Sequence, residues 1–259
     1  MKACKRRIFG PRIVTEDCGP LVRLGSDHGG WTLVKSKNLQ QSTLLSCGLG
    51  EDASFDVEFS SHFQANVIIV DPTPRAVTHF SALLNRCGQP AKHNYSSDGR
   101  QAPDSYDLVG ISPDRFQLIA KALSDRCGKA LFFAPPNPSD VSHSLIDYQN
   151  DYRRQGNSIE VDTIDYSTLM SLLDPASLSV VKLDIEGSEG GVIPQIIQQP
   201  RLPDQILIEY DELNRPSAYS RDVFERGHCE LLQANYIPTY FDGRTCVSYF
   251  NKDAITQED

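Results

Sequence analysis

Four short apolar runs along the chain each close on a glycine or an acid: 43–47 on Gly48, 67–70 on Asp71, 180–183 on Asp184 and 206–208 on Glu209. Runs of this length bounded by turn formers or acids read as buried strands. Between the first two, Phe55, Phe59 and Phe63 recur at i, i+4 and i+8, which predicts a helix over 55–63 with an aromatic core face. A second helix follows the 67–70 strand. Thr73 suits its N-cap, Pro74 its first position and Gly88 its C′ position, and Ala76, Val77, Phe80, Leu83 and Leu84 form the buried face.

The next stretches are less periodic. Residues 89–113 are polar and rich in turn formers, too long for a plain connection, and read as an insertion. A third strand is predicted over 116–123, with 129–133 as its hairpin partner after Cys127-Gly128. Residues 134–157 hold Pro135, Pro136 and Pro138, then His143, Tyr148, Tyr152, Arg153 and Arg154, and read as an extended loop suited to covering a substrate. An edge strand is expected over 159–164, helices over 166–173 and 219–234, and a terminal hairpin turning at Asp242-Gly243. Alternating strands and helices make this an α/β chain with a mostly parallel sheet. One domain is expected: an extension over 1–42, then a core over 43–251 carrying the two loop insertions, 89–113 and 134–157. Within the extension, Trp31, the single tryptophan, should start an element that packs on the core or closes one side of a cofactor site.

Composition narrows the function. A chain of 259 residues with 39% hydrophobic content can bury a full α/β core. Its net charge of −9 disfavours a general nucleic-acid binder, whose partners' phosphates need lysine and arginine. Seven cysteines, an odd number with no C-x-x-C pair, make neither a zinc site nor a disulfide framework and suit a reducing, cytoplasmic location. No apolar run has the length of a membrane span, and no apolar segment follows the basic residues Lys2–Arg7 to make a secretory signal.

Candidate chemistry concentrates where strands end. Gly48-Leu49-Gly50-Glu51-Asp52-Ala53 fits G-x-G-x-x-A between a strand and a helix, and Asp71 lies where an acid can take the hydroxyls of an adenosine ribose. A dinucleotide would set its pyrophosphate at the helix N-terminus, beside the repelling charges of Glu51 and Asp52. S-adenosylmethionine brings a sulfonium and an ammonium instead, which those acids suit. A nicotinamide-dependent oxidoreductase remains the alternative that the glycines permit.

These stretches also resemble a known family. Ser46 to Asp56 followed by Asp71-Pro72-Thr73-Pro74 resembles the first motif of FkbM-type methyltransferases. Val181-Lys182-Leu183-Asp184-Ile185-Glu186-Gly187-Ser188-Glu189 is similar to their lysine-hydrophobe-aspartate-x-glutamate-glycine signature. Ile206 to Glu209 is similar to their next strand, and Val141-Ser142-His143-Ser144 to a segment of a methyltransferase-like branch. The resemblance implies a seven-stranded Rossmann-like sheet of the class I methyltransferase type, ending in an antiparallel hairpin. It also implies S-adenosylmethionine-dependent methyl transfer, commonly to a hydroxyl of a sugar or secondary metabolite. Ser46 stands where the family usually has an acid, so a protein that binds the cofactor without catalysis is a further alternative.

Ser46, Gly48, Gly50, Glu51, Asp52, Asp71, Pro72, Leu123, Ser124 and Asp184 are therefore the expected cofactor residues. Asp184, Glu209 and His143 are the candidate bases. Asp184, Glu186 and Glu209, with Asp211 as a further option, are the candidate ligands of Mg²⁺, which takes oxygen donors and would acidify an acceptor hydroxyl. The expected partner is a small-molecule acceptor, with a homodimer allowed.

Overall fold

The computed structural model describes residues 10–134, 143–145, 158–173, 176–214 and 217–255. The chain opens with a hairpin of β1 (Leu21–Leu24) and β2 (Trp31–Val34). β3 (Thr43–Cys47), β4 (Asn66–Val70) and β5 (Phe116–Ile119) follow, with helix α1 (Ser54–Phe63) and helix α2 (Pro74–Leu84) between them. β6 (Ala122–Ser124), β7 (Gly128–Phe133) and β8 (Ser158–Asp165) precede α3 (Tyr166–Leu172) and β9 (Leu178–Leu183). The chain then runs through α4 (Glu189–Ile197), β10 (Gln205–Glu209), α5 (Ala218–Gln233), β11 (Tyr236–Phe241) and β12 (Cys246–Asn251).

Seven strands form the main sheet in the order β11-β12-β10-β9-β3-β4-β5. β12 lies antiparallel to both β10 and β11, while β10, β9, β3, β4 and β5 run parallel. This is the Rossmann-like class I methyltransferase arrangement, terminal hairpin included. The strand order reverses beside β3, between its neighbours β4 and β9, and ligands of open α/β sheets bind at such a point, beyond the carboxyl ends of the strands. Helices on both faces enclose the two large cores: Phe55, Phe59 and Phe63 of α1 belong to one, and Ile193, Ile196 and Phe224 of α4 and α5 to the other. Among the described residues, no helix is long and apolar enough to cross a membrane.

Local chemistry accounts for the element ends. Thr73 Oγ1 caps α2 by accepting from Ala76 N at 3.3 Å, with Pro74 in the first turn. At the terminal hairpin, Asp242 Oδ1 accepts from the backbone N–H groups of Arg244, Thr245 and Cys246, and Gly243 takes φ +80°.

Several expectations change. The 116–123 run is two strands: the chain bends at Ala120-Lys121, and only β5 joins the main sheet. β6 pairs with β8 in a separate three-stranded sheet ordered β6-β8-β7, so β7 is the partner of β8 and not of the strand before it. β8 is accordingly the central strand of that sheet rather than an edge. α2 stops at Leu84, short of Gly88, whose N–H bonds the Leu108 carbonyl instead. The 89–113 stretch supplies Tyr106, Leu108 and Ile111 to the core, so it is more than a polar insertion. Of the 134–157 loop, only Ala134 and 143–145 are among the described residues; Val141, Ser142, Tyr148, Tyr152, Arg153 and Arg154 lie outside them.

Candidate functional site

Equal register brings the chemistry together. Cys47 is level with Val70 on one side and Leu183 on the other, so Gly48, Asp71 and Asp184 leave three adjacent strands at one height. Gly48 has φ +90°, and a Cβ there would lie 2.0 Å from the Asp184 carbonyl oxygen; no side chain fits between these two strand ends. The cavity above them is walled by Gly48, Gly50, Glu51, Asp52, Asp71 and Pro72 on the glycine-turn side, by Val70, Ala122 and Leu123 on an apolar side, and by Lys182, Asp184 and Glu186 on the other. Trp31 and His28 from the N-terminal hairpin and Phe132, His143 and Leu145 from the β7 region close it.

The glycine-turn acids are bonded into the backbone. Asp52 Oδ1 accepts from Ser54 N at 2.9 Å, at the first residue of α1, and Oδ2 accepts from Ser26 Oγ at 2.7 Å and Gln101 Nε2 at 3.2 Å. A carboxylate therefore already occupies the helix N-terminus, the position a pyrophosphate would take. Asp71 Oδ2 accepts from the N–H groups of Leu49 and Gly50 at 2.9 and 3.0 Å, and Oδ1 from Thr73 N and Thr73 Oγ1 at 2.8 and 2.7 Å. A carboxylate offers about four lone-pair sites, so Asp71 serves the turn itself, and ribose hydroxyls would have to displace one of these donors. Glu51 pairs with Arg75 at 3.6 Å.

Lys182 is buried beneath the cavity. Its ammonium donates to the Gly48 carbonyl, pairs with Asp184 at 3.6 Å and lies 5.7 Å from the Trp31 ring centroid. Burial opposes its charge, but Asp184 and Asp56 outweigh that and raise its pKa. The same burial raises Asp56, which is fully enclosed next to Ser46 and Lys182. Ser46 itself is completely buried in β3 and takes no part in the cavity wall. Ser124 is also off the wall, its hydroxyl directed to Asp125 Oδ1 at 3.2 Å, while its neighbour Leu123 is on it.

Beyond β9 and β10 several carboxylates crowd together, and Glu189 Oε1 accepts from Ile185 N at 3.1 Å. Glu186 sits in the left-handed region at φ +55°, followed by Gly187 at +97°. Holding a non-glycine residue there costs about 1 kcal/mol or more, and here it turns the Glu186 side chain onto the cavity. Glu209, expected as a base and metal ligand, lies behind the wall: it is partly buried, with Oε1 accepting from Thr245 Oγ1 at 3.1 Å. Burial, then Asp184 and Glu186, push its carboxyl up to about 8. Asp211 rather than Glu209 brings an oxygen within 4.8 Å of oxygens from both Asp184 and Glu186. Burial and the neighbouring acids raise Asp211 and Glu189 as well.

No protein-family model matches the sequence, and no curated protein matches it. Solved structures of similar fold do exist. One is a precorrin-6y C5,15-methyltransferase from Geobacter metallireducens, 11% identical over 82% of this chain and 81% of that one, with a TM-score of 0.41. Another is the fibrillarin pre-rRNA processing protein of Methanococcus jannaschii, 8% identical over 84% of this chain and 70% of that one, at 0.40. Values this low carry no argument about function; the fold rests on the strand order given above.

Trp31, expected to start an element that packs on the core or closes one side of a cofactor site, packs at 5% exposure and also lines the cavity. His28, Gly29 and Phe132 line the cavity without having been singled out for it. His79 and Tyr106 were likewise missed: they bond at 2.7 Å, and the Tyr106 hydroxyl accepts from Ala53 N at 2.9 Å, anchoring the start of α1 from below.

Proposed function

We propose that the chain is an S-adenosylmethionine-dependent methyltransferase acting on a hydroxyl of a small molecule. The observation that carries this reading is the Asp52 carboxylate bonded at the N-terminus of α1, in a cavity also walled by Glu51, Asp71, Asp184 and Glu186. That wall repels a pyrophosphate and favours cationic groups. The residues fit the cofactor. Gly48 lets the bend close against the Asp184 carbonyl, Val70, Ala122 and Leu123 offer an apolar face for a base, and acid oxygens serve an ammonium and a sulfonium. When bound, the cofactor supplies an electrophilic methyl group.

The chain's own residues do the rest. The turn at 48–50 and Pro72 hold the nucleoside, with Asp71 keeping that turn in shape. Asp184, fixed by Lys182, faces the cationic end. Phe132, His143 and Leu145 border the space left for the acceptor, and His143 takes the hydroxyl proton, a general-base role that histidine commonly fills. Mg²⁺ at Asp184 and Glu186 belongs to the same reading, as do a reducing cytoplasmic location and an optional second copy of the chain.

Calorimetry with S-adenosylhomocysteine and with NAD⁺ is the test. Uptake of the former and none of the latter is expected, and the reverse would overturn the reading. Once an acceptor is identified by screening, His143→Ala should lower kcat by roughly 10²-fold or more with S-adenosylhomocysteine affinity unchanged. An unchanged kcat would remove His143 as the base.

A further inference from the structure

Carboxylates converge from three places beyond the sheet. Asp184 follows β9, Glu186 sits two residues on in its left-handed turn, and Asp211 opens the 3₁₀ turn Asp211–Asn214 after β10. One oxygen from each lies within 4.8 Å of the others. Hard divalent cations hold oxygen ligands at about 2.0–2.6 Å, so opposed ligands stand roughly 4–5 Å apart across one ion. The three oxygens therefore already fit around a single point.

Asp211 supplies a separate observation. It is 7% exposed; among the described residues its Oδ2 has no hydrogen-bond partner and Oδ1 takes Asn214 Nδ2 alone, at 3.0 Å. Glu189 Oε2 and Glu212 Oε2, buried nearby, are also without hydrogen-bond partners. Leaving carboxylate oxygens buried and unsatisfied costs several kcal/mol unless a cation or proton compensates. Lys182 is committed to the Gly48 carbonyl and Asp184. Asp184 and Glu186 reach the cavity while Asp211 is behind them, so an ion held by all three would sit at the cavity floor with positions open toward it.

We infer that Asp184, Glu186 and Asp211 form a binding site for one hard divalent cation of the Mg²⁺ or Mn²⁺ type. The all-oxygen, all-carboxylate donor set selects such ions over Zn²⁺ or Cu²⁺. Asp211 takes the place first expected for Glu209, which is held by Thr245. This inference deepens the methyl-transfer reading and rests on it only for the ion's purpose, which is to hold and acidify an acceptor hydroxyl.

The probe is Mn²⁺ alone, titrated into chelator-treated full-length protein and followed by the loss of the free-ion electron paramagnetic resonance signal. One Mn²⁺ per chain is expected, displaced by Mg²⁺. Asp211→Asn and Glu186→Gln should each weaken it by roughly ten-fold or more, and the exposed Glu160→Gln should leave it unchanged. Glu186 is only half-buried, so its variant keeps the test open should Asp211→Asn fold poorly. No uptake at roughly millimolar Mn²⁺, or uptake indifferent to both variants, would overturn the site. S-adenosylhomocysteine binding, measured in chelator on the same preparation, separates the two ideas. Nucleoside uptake without Mn²⁺ uptake defeats only the cation site, and Mn²⁺ uptake without nucleoside uptake defeats only the methyl-transfer reading.

Discussion

Acids around one crevice are treated in opposite ways, two on its glycine-turn wall and three behind its far wall. On the glycine-turn side, Asp52 and Asp71 are saturated by donors from the backbone, Ser26, Gln101 and Thr73. On the far side, Asp211, Glu189 and Glu212 each keep a buried oxygen with no hydrogen-bond partner. The first group is structural wiring whose lone pairs are already taken, though its charge remains. The second holds negative charge that only a proton or a bound cation can neutralise. Identical functional groups thus shape the loop in one place and prepare for a ligand in the other.

The comparison can be broken most severely at the point where the two sides meet. Gly48→Ala puts a Cβ 2.0 Å from the Asp184 carbonyl at a φ of +90°. It should cost about 4 kcal/mol or more, enough for denaturant unfolding to show a partly unfolded population in buffer. Next in size, the same Asp-to-Asn change should have opposite signs on the two sides. Asp71→Asn sets an amide NH₂ against N–H donors and should lower stability by about 3 kcal/mol. Asp211→Asn, in chelator, removes a buried carboxyl crowded by other acids and should raise it by about 1 kcal/mol. Two losses of equal size would erase the distinction.

Smallest is the pH dependence of the metal-free protein. Glu209, pushed up to about 8 by burial and its acidic neighbours, and Asp211 and Glu189, raised likewise, bind protons more tightly folded than unfolded. Above the ordinary carboxylate range the unfolded chain has released these protons while the folded chain still holds them, in the case of Glu209 up to about 8. Stability therefore falls as pH rises through that window. Melting temperature in chelator should drop by roughly 3 °C or more from pH 5.5 to 8, and millimolar Mg²⁺ should flatten the slope. A flat profile without metal would mean the far-side acids are as well compensated as Asp52 and Asp71.

Much of this frame was legible beforehand. The 43–47 run is β3 to the residue, Thr73-Pro74 begins α2, and Asp242-Gly243 turns the last hairpin, because local chemistry decides those features. What failed was pairing. The apolar run 116–123 gives no sign that its second half leaves the main sheet for β8, some forty residues away. The site divides in the same manner. Gly48, Asp71 and Asp184 follow from strand ends in register, but Ser46 turns out buried and Glu209 retreats behind the wall. Asp211 advances because a short 3₁₀ turn aims it, and such turns follow tertiary packing rather than periodicity.

The fully occupied carboxylate of Asp71 means that a nucleoside enters this crevice by exchange, not by simple addition. A ribose taking one of its oxygens must release an amide of Leu49 or Gly50, or a donor of Thr73. The bend would then loosen as the ligand docks, and hydrogen–deuterium exchange at those two amides should quicken while the rest of the crevice slows.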